Sequence, residues 1–292
     1  MNFPSRWLRR IAWRARPPVL ALGGGGARGF AHIGFLEILE REGMRLAGIT
    51  GTSAGAVIGG MFLALGSSDA VIDRWREAFD RGLIPEVSAF GKEDQDRAAE
   101  HPLLQVARRI RDRVVISLAV NKSTLIDGDE LDEALDFLLP DVDIVDLRLP
   151  FVAVAADLRT GEEVRLARGP LRRAVRASSS IPGMVPPIEI EGRLLTDAGI
   201  VAEVPVGAAG ELGRPVIAVD VSSPIPPYRE GRLVLETLAR TAMMTSTVLR
   251  QCQLREANRV VHPEIGQVVW SDWNRFDELV EAGRDAARRL LD

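Results

Sequence analysis

With Cys252 as its one cysteine, the 292-residue chain has no internal disulfide and no cysteine cluster to hold a metal, which fits a reducing compartment. Its three histidines, His32, His101 and His262, lie far apart, and neither H-E-x-x-H nor a Cys/His spacing occurs. The sequence therefore offers no zinc site. Basic excess is missing as well: a net charge of −4 gives no reason to expect nucleic acid as a partner. There is no internal repeat and no low-complexity linker, so one folded domain is the simplest reading. Residues 1–18 carry five arginines and no acid, but no uninterrupted apolar segment or small-residue cleavage site follows them, which excludes a secretory signal.

What is present is apolar, glycine-punctuated and alternating. Hydrophobic residues make up 46% of the chain, enough to bury a substantial core at this length. The longest uncharged run, residues 46–68, has 23 residues, long enough on length alone to span a bilayer. Its six glycines, with Thr50, Thr52 and Ser53, predict a buried strand, a tight turn and a buried helix instead. The same pattern precedes it: an apolar run over residues 19–22 breaks into four glycines, and residues 29–42 have helical spacing up to a stop at Gly43. Farther on, "LPFVAVAADL" and "RPVIAVDVSS" read as strands buried on both faces, while "DELDEALDFLL" and "NRFDELVEAGRDAARRLL" read as helices. Such strands alternating with helices predict an α/β fold with a mostly parallel sheet covered on both sides. Residues 87–150 read as a looser, charged, partly helical insertion.

Two motifs fall on the first two strand-to-helix turns. Gly51-Thr52-Ser53-Ala54-Gly55 is a G-x-S-x-G elbow, in which a turn too tight for side chains beside the serine thrusts its hydroxyl out at the carboxyl edge of the sheet. The following helix points its free N–H groups at the place where an anion would form. By itself the pentapeptide also fits a plain structural turn. The loop "GGGGARG" admits a dinucleotide fingerprint through Gly24, Gly26 and Gly29, but the acidic residue that reading needs about 20 positions on is absent. The other reading is an oxyanion hole, in which Gly24, Gly25 and Gly26 offer backbone N–H groups to one point and Arg28 adds a fixed positive charge. Asp197, on a short apolar run ending in Ala198-Gly199, is the candidate base and also fits a strand-end turn.

Together these elements resemble the patatin-like phospholipase family of serine lipid acyl hydrolases, over nearly the whole chain from residue 19. The glycine loop of that family matches Gly24 to Gly29, its elbow matches Gly51 to Gly55, "ASSSIPGMVPP" resembles its Ser-rich block, and Asp197 matches its Asp-Gly-Gly/Ala aspartate. The resemblance implies a three-layer α/β/α fold related to the α/β hydrolases, a Ser53–Asp197 dyad without histidine, a lipid or other acyl ester as substrate, and no metal or organic cofactor. The sequence departs from the pattern at Ala198, where the family has glycine. If that position requires φ > 0, alanine costs about 1–2 kcal/mol and the aim of Asp197 changes. A non-catalytic regulatory or scaffolding protein on the same fold is the alternative this departure raises.

The order Ser53, Asp197, His262 also matches an ordinary hydrolase triad, which makes His262 a rival base. His32 reads as packing or loop support, Ser178, Ser179 and Ser180 as loop or cap structure, and Asp127 and Asp157 as turn or capping residues. Residues 1–16 interleave Trp7, Leu8, Ile11 and Trp13 with arginines, the mixture expected of a segment lying on an anionic membrane surface, though a solvated N-terminal tail is the alternative. Residues 103–119 read as a basic helix, either a candidate lid or a solvated helix face. The expected location is the cytoplasm, peripherally at the inner membrane.

Overall fold

The structure, a computed structural model, describes residues 15–84, 128–213, 215–225 and 234–292. The chain runs β1 (Val19–Leu22), α1 (Phe30–Arg41), β2 (Gly48–Thr52), α2 (Ala54–Leu65) and α3 (Ser68–Asp80), then α4 (Gly128–Leu138), β3 (Phe151–Asp157), β4 (Glu163–Leu166) and α5 (Leu171–Ser178). It continues through β5 (Ile188–Ile190), β6 (Arg193–Asp197), α6 (Val206–Gly210), β7 (Val216–Val219), α7 (Val234–Leu254), β8 (Arg259–Val261) and α8 (Phe276–Leu291).

The sheet order is β5-β6-β3-β2-β1-β7-β8, with β4 also paired to β3. The run from β3 to β8 is parallel, and only β4, β5 and β6 enter antiparallel. Strands β1, β2, β3 and β7 are buried at every residue, as expected of strands apolar on both faces. On one face, Leu20, Leu22, Ile49, Phe151 and Val219 pack with the inward sides of α1, α2, α3, α5 and α8 into the main core. On the other, Val19, Ala21, Val216 and Ala218 meet Val204, Val206 and Ala209 at the start of α6. The result is a mostly parallel sheet covered on both faces, as the alternation of strands and helices predicted, in the three-layer arrangement that the resemblance implied.

The helices of the first two units are buried almost all round: α1 from Phe30 to Leu39, and the uncharged α2 from Gly55 to Leu63. The 46–68 run is thus β2, the elbow and a core helix. Among the described residues no single helix is long and apolar enough to cross a membrane. Residues 128–150 of the expected insertion pack inward through Leu135, Leu138 and Leu139. The rest of that segment, including the basic stretch 103–119 and Asp127, lies outside the described residues, as do residues 1–14 of the basic arm.

Register explains how distant segments meet. On one edge of β3, Val154 pairs with Thr52, the last residue of β2, and the next residue, Ala155, pairs with Asp197, the last residue of β6. Strand β4 pairs with Ala153 to Ala156 and so occupies the other edge. Where β2 leaves the sheet at the elbow, β6 takes over its place, which brings residues 53 and 197 together.

Candidate active site

Ser53 sits between β2 and α2 with φ 53° and ψ −123°, a left-handed backbone that a serine adopts only when its surroundings impose it. Those surroundings are glycines. A Cβ at Gly51 would lie 2.5 Å from the Ala56 nitrogen, and one at Gly55 would lie 2.2 Å from the Leu22 carbonyl oxygen. Both flanking positions of the elbow therefore exclude side chains for steric reasons. The Ser53 carbonyl accepts from the N–H groups of Ala56 and Val57 at 2.8 and 3.0 Å, which starts α2. The Ser53 N–H donates to the Ser178 hydroxyl at 2.9 Å, and Ser178 donates in turn to the Val154 carbonyl at 2.6 Å.

The glycine loop lies alongside. A Cβ on Gly24 would stand 3.3 Å from the Ser53 Cβ, so the loop passes in direct contact with the serine. The Gly23 and Gly24 N–H groups are engaged, donating to the carbonyls of Val219 and Glu203 at 3.0 and 2.8 Å. Gly24 is therefore not a free donor, contrary to the expectation from sequence, because the loop at that point still bonds to neighbouring chain. The N–H groups of Gly25 and Gly26 have no acceptor among the described residues. Gly26 has φ 58°, and a Cβ there would lie 2.3 Å from the Trp270 carbonyl oxygen, so only glycine fits. Arg28 does not reach toward Ser53. Its Nε donates to the Gly25 carbonyl at 3.1 Å and its Nη1 donates to the Ser223 hydroxyl. Holding the carbonyl of the Gly25–Gly26 peptide orients the N–H on the other side of that peptide.

Asp197 ends β6 with only 5% of its surface exposed. Its carboxylate accepts from the Gly199 N–H at 2.7 Å and shares the lining of one cavity with Ser53. Burial raises its pKa to about 6, overriding the downward pull of the Ser53 hydroxyl and the Gly199 N–H, and the nearby Glu203 carboxylate pushes it up further. Ala198 opens the short 3-10 turn Ala198–Ile200 and is not among the residues with positive φ. The cost expected for alanine at that position is thus absent. Its methyl group packs against Val152, Val154, Ala202 and Ala208.

His262 is elsewhere. It is largely exposed at the end of β8, with its Nδ1 3.4 Å from an Asp220 oxygen. His32 is fully buried and holds the Gly23 carbonyl through Nε2 at 2.8 Å. Burial lowers its pKa to about 4, so it stays neutral and acts as loop support, as its position in sequence suggested. Asp157 accepts from the Arg159 N–H at 2.9 Å, the turn role expected of it.

Ser53 opens onto two cavities. One, of about 130 Å³, is almost wholly apolar and includes Phe30, Val57, Trp75, Leu135 and Trp273 in its lining. The other, of about 370 Å³, is lined by Asp197, the glycine loop and the charged groups Arg28, Glu203 and Arg250. Glu203 and Arg250 were not singled out in the sequence. Their pairing at 2.6 Å joins the loop after Asp197 to α7, a contact between segments 47 residues apart with no local signal. Around the polar cavity, Ile200 and Met243 stand 46% and 45% exposed, and Leu238, Met244, Val248 and Leu249 continue an exposed apolar face along α7.

A strained serine elbow at the carboxyl edge of a mostly parallel sheet, facing a glycine loop on the neighbouring strand, defines a protein of the serine-elbow α/β class. The family model that matches is described as Patatin-like phospholipase and covers residues 20–209. The chain belongs to that family. It is similar to an uncharacterized NTE family protein of Mycobacterium tuberculosis, 34% identical over 250 residues, which are 84% of this chain and 61% of that protein. A second such protein of that organism is 30% identical over 309 residues, 97% of this chain and 47% of the relative. The patatin-like phospholipase domain-containing protein 6 of Mus musculus is 30% identical over 211 residues, covering 70% of this chain and 13% of the mouse protein. The chain thus spans about half to three-fifths of the length of the bacterial relatives. Among solved structures, VipD of Legionella pneumophila aligns with a TM-score of 0.48 at 14% identity, covering 94% of this chain and 66% of VipD.

Proposed function

We propose that the protein is a serine hydrolase that cleaves acyl esters of lipids. The observation that carries this reading is Ser53 on its strained elbow, sharing a cavity with the buried Asp197 and set where an apolar and a polar cavity meet. Ser53 attacks the ester carbonyl while Asp197 takes its proton. The oxyanion is received by the Gly25 and Gly26 N–H groups, the latter oriented by Arg28 through the Gly25 carbonyl. As the tetrahedral intermediate collapses, Asp197 returns the proton to the departing alcohol, leaving an acyl-enzyme. Water, deprotonated by the same carboxylate, then releases the acid. The acyl chain occupies the apolar cavity and the alcohol leaves through the polar one. An ordinary aspartate is a poor base at neutral pH; a pKa raised to about 6 by burial makes Asp197 a better one while leaving it ionised at pH 7.

Domain layout and location belong to the same reading: a basic arm over residues 1–18 touching an anionic membrane, a catalytic domain from residue 19, and peripheral residence at the cytoplasmic membrane face. The absence of backbone strain at Ala198 removes the feature that favoured a non-catalytic protein. The test is release of fatty acid from a mixed lipid extract and of p-nitrophenol from short esters by the wild type and by Ser53→Ala. The variant is expected to be inactive and to resist labelling by a fluorophosphonate. Activity surviving in purified Ser53→Ala refutes the assignment.

A further inference from the structure

The Ser-rich stretch at the end of α5 touches both halves of the site. We infer that Ser178 is a positioning residue that splices the sheet where β2 turns off into the elbow. The Thr52 position is the last at which β2 pairs with β3, opposite Val154. One residue later the Ser53 N–H has left the ladder, and the Val154 carbonyl still needs a donor. The Ser178 hydroxyl stands between the two, accepting from Ser53 at 2.9 Å and donating to Val154 at 2.6 Å. A hydroxyl is the smallest side-chain group that can accept and donate at one point, which this place in the ladder demands. Ser178 is fully buried, so water cannot replace it without rearrangement.

Two residues on, the Ser180 carbonyl accepts the Asp197 N–H at 2.9 Å and the Thr196 hydroxyl at 2.6 Å. Ser180 is itself tied by its hydroxyl to Arg176, whose Nε donates to Asp132 at 2.6 Å. The end of α5 therefore holds the backbone of Ser53 through a side chain and the backbone of Asp197 through a carbonyl, two residues apart. The separation of the pair is set by this one rigid turn. Without the Ser178 hydroxyl, the φ 53° conformation of Ser53 loses the bond that pins its N–H, and the serine swings relative to Asp197 and the glycine N–H groups.

This inference rests on the hydrolase reading, and its test separates the two. Steady-state hydrolysis of a soluble p-nitrophenyl ester, fluorophosphonate labelling rate and thermal melting are measured for wild type, Ser53→Ala, Ser178→Ala, Ser178→Cys and Thr50→Val. Thr50 is a buried hydroxyl of β2 bonded to the Pro205 carbonyl at 3.2 Å, and serves as a control for the loss of a buried hydrogen bond. Both Ser178 variants are expected to lose about 10–100-fold in kcat with KM nearly unchanged, and to label more slowly in proportion. Thr50→Val is expected to lower the melting temperature while keeping kcat within about threefold. Ser178→Cys is close to isosteric, so it gives a folded readout even if the alanine variant does not fold. Wild-type kcat in Ser178→Cys, or a change confined to KM, overturns the positioning role. If Ser53→Ala turns over like wild type, the hydrolase reading itself fails; if it is dead while the Ser178 variants are fully active, only this inference does.

Discussion

Replacing Asp197 with asparagine is expected to stop catalysis and to stabilise the fold, because the buried carboxylate works against folding at neutral pH. Its folded pKa of about 6 lies above the reference value of 3.8. The folded state therefore holds the proton more tightly than the unfolded one. Stability from this group is fully present below pH 3.8 and is lost as pH rises through 6. The gap corresponds to a cost on the order of 3 kcal/mol above pH 6, at about 1.4 kcal/mol per pKa unit. Asparagine is never ionised, yet its amide oxygen still accepts the Gly199 N–H now held at 2.7 Å. Asp197→Asn should thus exceed wild type by roughly 1–3 kcal/mol at pH 8 in urea unfolding, with the advantage shrinking to nothing near pH 4. In wild type, kcat/KM should fall about tenfold per pH unit once the pH drops below about 6, as the base becomes protonated. An Asn variant less stable than wild type at pH 8, or a wild-type rate unchanged down to pH 4.5, refutes the reasoning.

His262→Ala should keep its rate within about twofold of wild type, because the ring is largely exposed and pairs with Asp220 rather than with the elbow; a loss matching Ser53→Ala in the same ester assay would instate a triad. Gly55→Ala should cost roughly 2–3 kcal/mol and most of the activity, since its Cβ would lie 2.2 Å from the Leu22 carbonyl and push α2 off β1; an unchanged melting temperature contradicts this. Deleting residues 1–16, which carry five arginines, should weaken sedimentation with anionic vesicles at low salt and spare hydrolysis of soluble esters. Equal vesicle binding by the truncated chain rules the arm out as the anchor.

Local pattern alone determined the two strand-to-helix units, the elbow and the glycine loop. Each depends on neighbours in the chain: apolar runs that must be buried on both faces, and glycines where the backbone turns too tightly for a Cβ. Asp197 was legible as a candidate only through its motif, since a turn aspartate and a base look alike until their partners are known. What tertiary structure decided is every contact across long separations. It put Asp197, and not His262, beside the elbow by letting β6 succeed β2 along the edge of β3, so that Ala155 and Val154 place residues 197 and 52 side by side. It withdrew Gly24 from the free donors, because the Glu203 carbonyl, from a loop nearly 180 residues away, occupies that N–H. It dissolved the concern over Ala198, whose φ is set by the path from β6 into its 3-10 turn rather than by the identity of the residue. Ser178 belongs to the same group: a serine at the last position of a helix has no local mark of its duty, and acquires it only where three separate segments leave one donor and one acceptor to be joined.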